Sequence, residues 1–307
     1  MKITDISNIP KNTKTYNGNT RKHGITVNGT DYIIKFPKDN DLSVYCEYIA
    51  SNFIRALGID CHEVGLGLYH GITVNIIKDF TSEKNVSLHS YKDTKQSSED
   101  TDLSDKEYTY QDILYLIDRH LKLTDQAKQE AKRHFWDMFI CDAIIGNRDR
   151  HWGNWGYLKK PGSNSEYTFA PLYDNGAGLY PGVALVIDDY MHTASRKKFL
   201  YDRVFVFPAS LFKIKKSDRS YRSNYAEMFS DLRINQIFAQ QVRYFREHFS
   251  YQQIFDTMKN VCTGVPLEMK YRRFYIEIVT LRYMCIVLRM DFDQSYQTLE
   301  VLLGDYE

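Results

Sequence analysis

At 307 residues, the chain is longer than one hydrophobic core ordinarily serves, so two lobes or domains are expected. Its 43% hydrophobic and 26% charged residues describe a folded globular protein and exclude a disordered one. A formal net charge of +1 gives no global attraction to nucleic acid or an anionic membrane, and no direct DNA binding is expected.

The amino terminus, MKITDISNIP, lacks an apolar core of signal-peptide length, and no later stretch has the length of a membrane span. A cytoplasmic protein is the expectation. The five cysteines (46, 61, 141, 262 and 285) include no CxxC pair and read as buried free thiols rather than a disulfide framework or a zinc site.

Residues 24–36 alternate and turn at Asn28-Gly29, a hairpin signal, and the second run stops at Pro37. A helix is expected over 43–57, where Val44, Tyr48, Ile49, Phe53 and Leu57 recur at helical spacing and Gly58 suits a left-handed cap. Residues 64–69 and 72–77 read as a second strand pair about His70-Gly71. From 81 to 106 the composition turns to Ser, Asp, Lys and Thr, the pattern of a solvated loop. Beyond it, 109–123 and 124–145 carry helical periodicity, the second capped by Thr124. Further helices are expected at 234–247, 251–261 and 267–290. The fold class is therefore α+β, with a small β-rich N-lobe over 1–80 and a larger, mainly helical C-lobe over 81–307. No internal repeat interrupts that plan.

The segment GNRDRHWGN, residues 146–154, follows a helix that Gly146 would end, which places Asp149 on the loop beyond it. Twenty residues past Asn154 lies Asp174 in PLYDNG, after a predicted strand at 167–170. Phosphoryl transfer needs a carboxylate to orient the attacking hydroxyl and ligands that hold magnesium on the phosphates. Asp149 fits the base, while Asn154 and Asp174 are hard oxygen ligands that suit Mg²⁺ better than zinc. An ion-paired loop or a turn-forming Asp explains any one of these residues alone, but not the three at this spacing with a strand between them.

In the small lobe, Lys35 ends a strand and Glu47 lies twelve residues on, on the first helix. That pair suits a lysine that holds the α- and β-phosphates and a carboxylate that orients it. Alone, a lysine after an apolar strand is an ordinary solvated end. Residues 16–24, with Gly18 and Lys22, form a thin candidate for a loop over the phosphates and are not a Walker A sequence. IIKDF, residues 76–80, would form a hinge for adenine with Lys78 and Phe80 as contacts, and a strand running into a loop explains it equally well.

The segments YIIKFP, CEYIASNFIRALGI, FWDMFICDAIIGNRDRHWGNWGYL and FAPLYDNGAGLYP resemble the HipA-type serine/threonine kinases, from about Gly18 through about Leu211. Within the family the resemblance is greatest to a compact, translocated member. It implies a two-lobed kinase fold, ATP and Mg²⁺ as cofactors, and γ-phosphoryl transfer to Ser or Thr of a protein substrate. On matching positions Lys35 would hold phosphate, Asp149 would be the catalytic aspartate, and Asn154 and Asp174 would be metal ligands. His151 would shape the catalytic loop beside the nucleotide. Also implied are an antitoxin or regulatory partner, and action as a toxin or as an effector translocated without a classical signal peptide. Autophosphorylation would fall on Thr15 by offset from Lys22, although this loop departs from the family's glycine- and serine-rich pattern. The chain begins almost at the phosphate loop, so contacts that longer HipA toxins make through a preceding domain are not carried over.

A basic run after Asp174, with Arg196, Lys197, Lys198, Lys213, Lys215, Lys216, Arg219 and Arg222, reads as a substrate-facing surface or as a solvated face offset by Asp202 and Asp218. The aromatic residues read as packing, with Trp155 expected beneath the catalytic loop. Two rivals stand. A small-molecule or phosphatidylinositol-type lipid kinase shares a DRHxxN loop but reads IDFG where this chain has LYDNG. A non-catalytic binding module would lack Lys35, Asp149 or Asp174, and all three are present.

Overall fold

A computed structural model describes residues 3–16, 18, 20–38, 41–83, 85–96, 109–119, 123–162, 167–191, 193–216, 219–232 and 235–304. After a short strand β1 (Thr4–Asp5), the expected hairpin forms from β2 (Lys22–Val27) and β3 (Thr30–Lys35). Asn28 and Gly29 turn it with φ of 50° and 78°, the double positive φ that a tight hairpin favours. Helix α1 (Ser43–Ala56) follows, and then the second hairpin, β4 (Val64–Tyr69) and β5 (Ile72–Lys78), turned by His70 and Gly71. The five strands form one sheet in the order β1-β4-β5-β3-β2, antiparallel apart from the β1–β4 edge. Ile6, Ile25, Ile34, Phe36 and Val74 make a small core of their own, while Ile49, Phe53 and Ile54 of α1 join the main core below.

Beyond residue 80 the structure departs from the solvated loop read in the sequence. The chain forms α2 (Phe80–Glu83), β6 (Ser87–Ser90) and α3 (Tyr91–Gln96), while 97–108 lie outside the described residues. The reason is a distant partner. β6 pairs antiparallel with β7 (Gly156–Lys159), which in turn pairs with β8 (Tyr167–Phe169). Pairing satisfies the backbone of β6, so its polar side chains stay largely in water and local composition reads as loop. Tyr91 then buries its ring against Trp155, with centroids 4.1 Å apart, and Trp155, just past the Asp149 loop, is buried in packing as expected.

The larger lobe is built on α4 (Tyr110–Arg119) and the central α5 (Asp125–Ile145). Thr124 caps α5 by accepting a hydrogen bond from Ala127 N at 3.2 Å, and its second half is almost wholly buried around Trp136 and Phe139. A 3₁₀ turn (Pro181–Leu185) leads to α6 (Ile187–Met191) and α7 (Thr193–Phe205). A hairpin of β9 (Ala209–Lys216) and β10 (Arg219–Asn224) then leads to α8 (Tyr225–Asp231). The expected helices appear as α9 (Gln236–His248), α10 (Tyr251–Cys262) and α11 (Met269–Arg282). The last of these runs into a π-helical turn (Tyr283–Val287), and α12 (Phe292–Leu303) ends the lobe.

The sequence reading assigns no element over 181–231 or 292–303; α8 and α12 open on local caps at Asn224 and Asp291, whereas α6 and α7 are fixed by a remote contact. Glu277 of α11, fully buried, accepts hydrogen bonds from Tyr190 of α6 and Arg196 of α7. Arg196 is thus not part of an exposed basic surface. Lys197 and Lys198 pair with Asp293 (2.8 Å) and Asp202 (3.2 Å), so the solvated-face reading holds for them. Asp218 and the side chains of Lys215, Lys216 and Arg219 lie outside the described residues. All five cysteines are buried free thiols. Among the described residues no helix is long and apolar enough to cross a membrane.

Candidate active site

The loop that carries Asp149 is fixed where α5 ends. Gly146 turns the chain with φ 68°, and a Cβ on it would stand 2.2 Å from Arg282 Nη1, so both backbone and space require glycine. Arg282 donates to Ile145 O (2.9 Å) and Arg203 O (3.1 Å), which places a cation at the negative end of the α5 dipole. Burial, with the nearby Arg203, pulls its pKa down to about 9.

One guanidinium then gathers three segments. Buried Asp142, in the last turn of α5, accepts Arg150 Nε (2.9 Å), Arg150 Nη2 (2.8 Å) and Asn147 Nδ2 (3.0 Å). Arg150 also donates to Asn154 O (2.8 Å), Tyr173 O (2.6 Å) and Asn175 Oδ1 (2.6 Å). Helix end, Asp149 loop and Asp174 loop therefore share one buried fork, the bidentate geometry at which arginine excels. Burial opposes the charge on Arg150, but the Asp142 carboxylate outweighs it and raises the pKa. The sequence reading did not single out Asp142 or Arg150.

On this support Asp149, half-buried, donates its N–H to Asn147 Oδ1 (3.0 Å), and its carbonyl accepts His151 N and Asn154 Nδ2, both at 2.9 Å. The exposed His151 ring accepts Gly153 N at Nδ1 (3.0 Å), which closes the turn. Asp174 has φ 58°, a left-handed conformation that Asp tolerates better than most side chains. Its Oδ1 lies 2.6 Å from Lys35 Nζ, which also lies 2.7 Å from Glu47 Oε2.

Glu47 is fully buried and accepts the backbone N–H groups of Asn175 (2.8 Å) and Gly176 (3.0 Å), with His62 Nε2 3.1 Å from its Oε1. Burial would raise the Glu47 pKa, but Lys35 and His62 overcome it and hold the carboxyl well below its ordinary range. For Lys35, burial acts to lower the pKa, and Glu47 and Asp174 reverse that and raise it. A carboxyl with a depressed folded-state pKa contributes stability above its ordinary 4.5 and loses it as pH falls through that value and below. Wild-type unfolding free energy is therefore expected to drop more steeply from roughly pH 5 to 3 than that of Glu47→Gln. Parallel curves in chemical denaturation would remove Glu47 from the acid-sensitive set.

Lys22 of β2 stands directly opposite Lys35 of β3, so both side chains lie on the same face of the sheet. Gly18 approaches it with φ 108°, and a Cβ there would lie 2.7 Å from Lys22 Nζ. Burial lowers the Lys22 pKa, with Asp174 opposing and Lys35 adding to the shift. Phe80 faces the Tyr173 ring at 6.2 Å, and Lys78 lies 3.8 Å from Glu63. Between them, buried Asp79 accepts Tyr16 Oη (3.0 Å), Thr81 N (3.0 Å) and Lys14 Nζ (3.4 Å). The segment before Gly18 is thereby strapped to the end of β5, a contact the sequence reading missed, while Asn17 and Asn19 lie outside the described residues. Of the ten predicted site residues, nine line one cleft of about 2380 Å³ between the lobes, and Glu47 lies behind Lys35.

The sequence model of the HipA-like C-terminal domain family matches residues 10–200. The chain belongs to this family. Among HipA-like relatives, serine/threonine-protein kinase CtkA of Helicobacter pylori (strain J99) is 32% identical over 222 residues. That match spans 70% of this chain and 65% of the relative, just under two thirds of its length. The crystal structure of the H. pylori proinflammatory kinase CtkA matches with a TM-score of 0.81 and 25% identity, covering 97% of this chain and 99% of that one. The Shewanella oneidensis MR-1 structure of HipA, HipB and operator DNA shares the fold, with a TM-score of 0.53 at 13% identity over 93% of this chain and 69% of its match.

Proposed function

We propose that this chain is a HipA-like serine/threonine protein kinase that uses ATP and Mg²⁺. The observation that carries the reading is the Lys35–Glu47–Asp174 ion triad, at 2.7 and 2.6 Å, beside Asp149 and Asn154 on a loop tied to the Asp174 loop by Arg150. Asp174 Oδ2 and Asn154 Oδ1 accept no hydrogen bond among the described residues, and a carboxylate with an amide oxygen is a donor set that fits Mg²⁺. When bound, the metal neutralises charge on the phosphates.

This chain's own residues do the rest. Lys35, oriented by Glu47, offers its ammonium to the α- and β-phosphates, and Lys22 adds a second positive group on the same face. Asp149 accepts the proton of the attacking hydroxyl, and Arg150 keeps the base and the metal-binding loop in one frame. Lys78 and Phe80 border the adenine side, and His151 braces the catalytic loop. The resemblance to CtkA and HipA favours a protein Ser/Thr acceptor and a regulatory protein partner, and supports either a cytoplasmic site of action or translocation. Thr15, exposed between the pinned Lys14 and Tyr16, is the proposed autophosphorylation site.

Purified protein with γ-labelled ATP and Mg²⁺ should label itself or an added protein on Ser or Thr. Tight ATP binding with label only on small molecules or inositol lipid would bring the lipid-kinase reading forward. Asp174→Asn should weaken nucleotide binding by at least about tenfold in Mg²⁺ and much less in its absence. Calorimetric titrations that match wild type in Mg²⁺ would dismiss Asp174 as a metal ligand.

A further inference from the structure

Far from the cleft, α8, α9 and the turn after the π-helical segment enclose a second cavity of about 250 Å³. Its floor is apolar, with Phe229, Phe238 and Val242 all buried. Its rim carries Arg243, Arg246 and Arg289, and none of the three has a carboxylate partner among the described residues. Other cations of this lobe do find one, as in Lys132–Asp118 (2.6 Å), Lys197–Asp293 (2.8 Å) and Lys270–Asp188 (3.4 Å).

Two of the three rim arginines are held by backbone carbonyls, which aim a guanidinium without neutralising it. Arg246 Nε donates to Val287 O (2.7 Å) and Arg289 Nη2 to Phe229 O (3.4 Å). Arg289 holds its place at φ 61°, a backbone conformation that glycine or asparagine adopts more readily. Burial, then the neighbouring Arg289, lowers the pKa of Arg246, as like charges gathered without a counter-ion must. A simple anion has no use for the aromatic floor, and a purely apolar ligand has none for three cations. Both features suit an apolar side chain flanked by carboxylates.

We propose that this pocket docks an acidic segment of a protein partner, inserting one apolar side chain over Phe229, Phe238 and Val242 and setting carboxylates against the three arginines. The choice of a protein partner rests on the kinase reading; the ligand chemistry rests on the pocket alone.

The test is fluorescence anisotropy of a labelled Asp-Glu-Phe-Glu-Asp peptide with the full chain. Saturable binding is expected, weakened at least tenfold by Arg243→Gln with Arg289→Gly, and similarly when the peptide's Phe becomes Ser. Arg289→Gly suits the left-handed backbone, so circular dichroism and autophosphorylation should match wild type. Absence of saturable binding, or equal binding by the double variant, overturns the proposal. So does tighter binding of duplex DNA that ignores the apolar residue, which would mark a phosphate surface. Peptide binding in protein without transfer activity would support the pocket while removing the kinase reading.

Discussion

Asp149→Asn should slow phosphoryl transfer by about 10²–10⁴-fold, the range that a positioned general base supplies, with nucleotide affinity nearly unchanged. The asymmetry follows from where the side chain stands. Asp149 is held through its backbone, by Asn147 Oδ1 at 3.0 Å and by the donors on its carbonyl, so an isosteric amide leaves the loop in place. The groups proposed to hold the phosphates and metal are Lys35, Asn154 and Asp174, and none of them bonds to the Asp149 carboxylate among the described residues. Initial rates with labelled ATP, set beside calorimetric nucleotide titrations, separate the two effects. Transfer at the wild-type rate would falsify the assignment of the base, and an equal loss of nucleotide affinity would make Asp149 a binding residue instead.

The second large effect is expected on stability. Arg150→Met removes the cation from a fully buried pair and strands Asp142, a change worth about 3–5 kcal/mol when one partner of such a pair is lost. The cost does not end with Asp142, because Asn154 O, Tyr173 O and Asn175 Oδ1 each lose a donor at 2.6–2.8 Å. Asp142→Leu added to Arg150→Met should therefore restore only part of the loss. Denaturant midpoints of wild type, the two single variants and the double complete a double-mutant cycle. Full recovery in the double variant would reduce Arg150 to an ion-pair partner of Asp142 and take away its role in tying the two loops together.

Much of the small lobe was legible, and the reasons are local. Asn28-Gly29 and His70-Gly71 carry the positive-φ preference that turns each hairpin, and each strand pairs with the neighbour that its turn presents. Thr124 and Gly146 mark the ends of α5 by capping chemistry contained within a few residues. The candidate centre was legible for a different reason. Asp149, Asn154 and Asp174 belong to two short stretches whose residue types leave few chemistries open, and the resemblance to HipA-type kinases extends over both.

Asp142, Arg150, His62 and Asp79 were not legible as site residues. A buried carboxylate and guanidinium eight residues apart across a helix end follow no helical or strand period, and nothing near Asp79 announces the Tyr16 hydroxyl that it accepts 63 residues away. The polar stretch after residue 80 misled for a related cause, since β6 draws its order from hydrogen bonds to β7 and not from its own side chains.

By itself, then, the sequence determined the turns, the caps, the amphipathic helices and which residues stand as candidates for phosphoryl transfer. Tertiary structure alone decided how those groups meet: Lys35 reaches Asp174 across 139 residues of chain, and Glu47 closes on the N–H groups of Asn175 and Gly176. The physical reason is the range of the forces involved. Turn and cap preferences act within a few bonds, whereas a buried charge is stable only where the completed fold brings it opposite charges and donors while shutting out water.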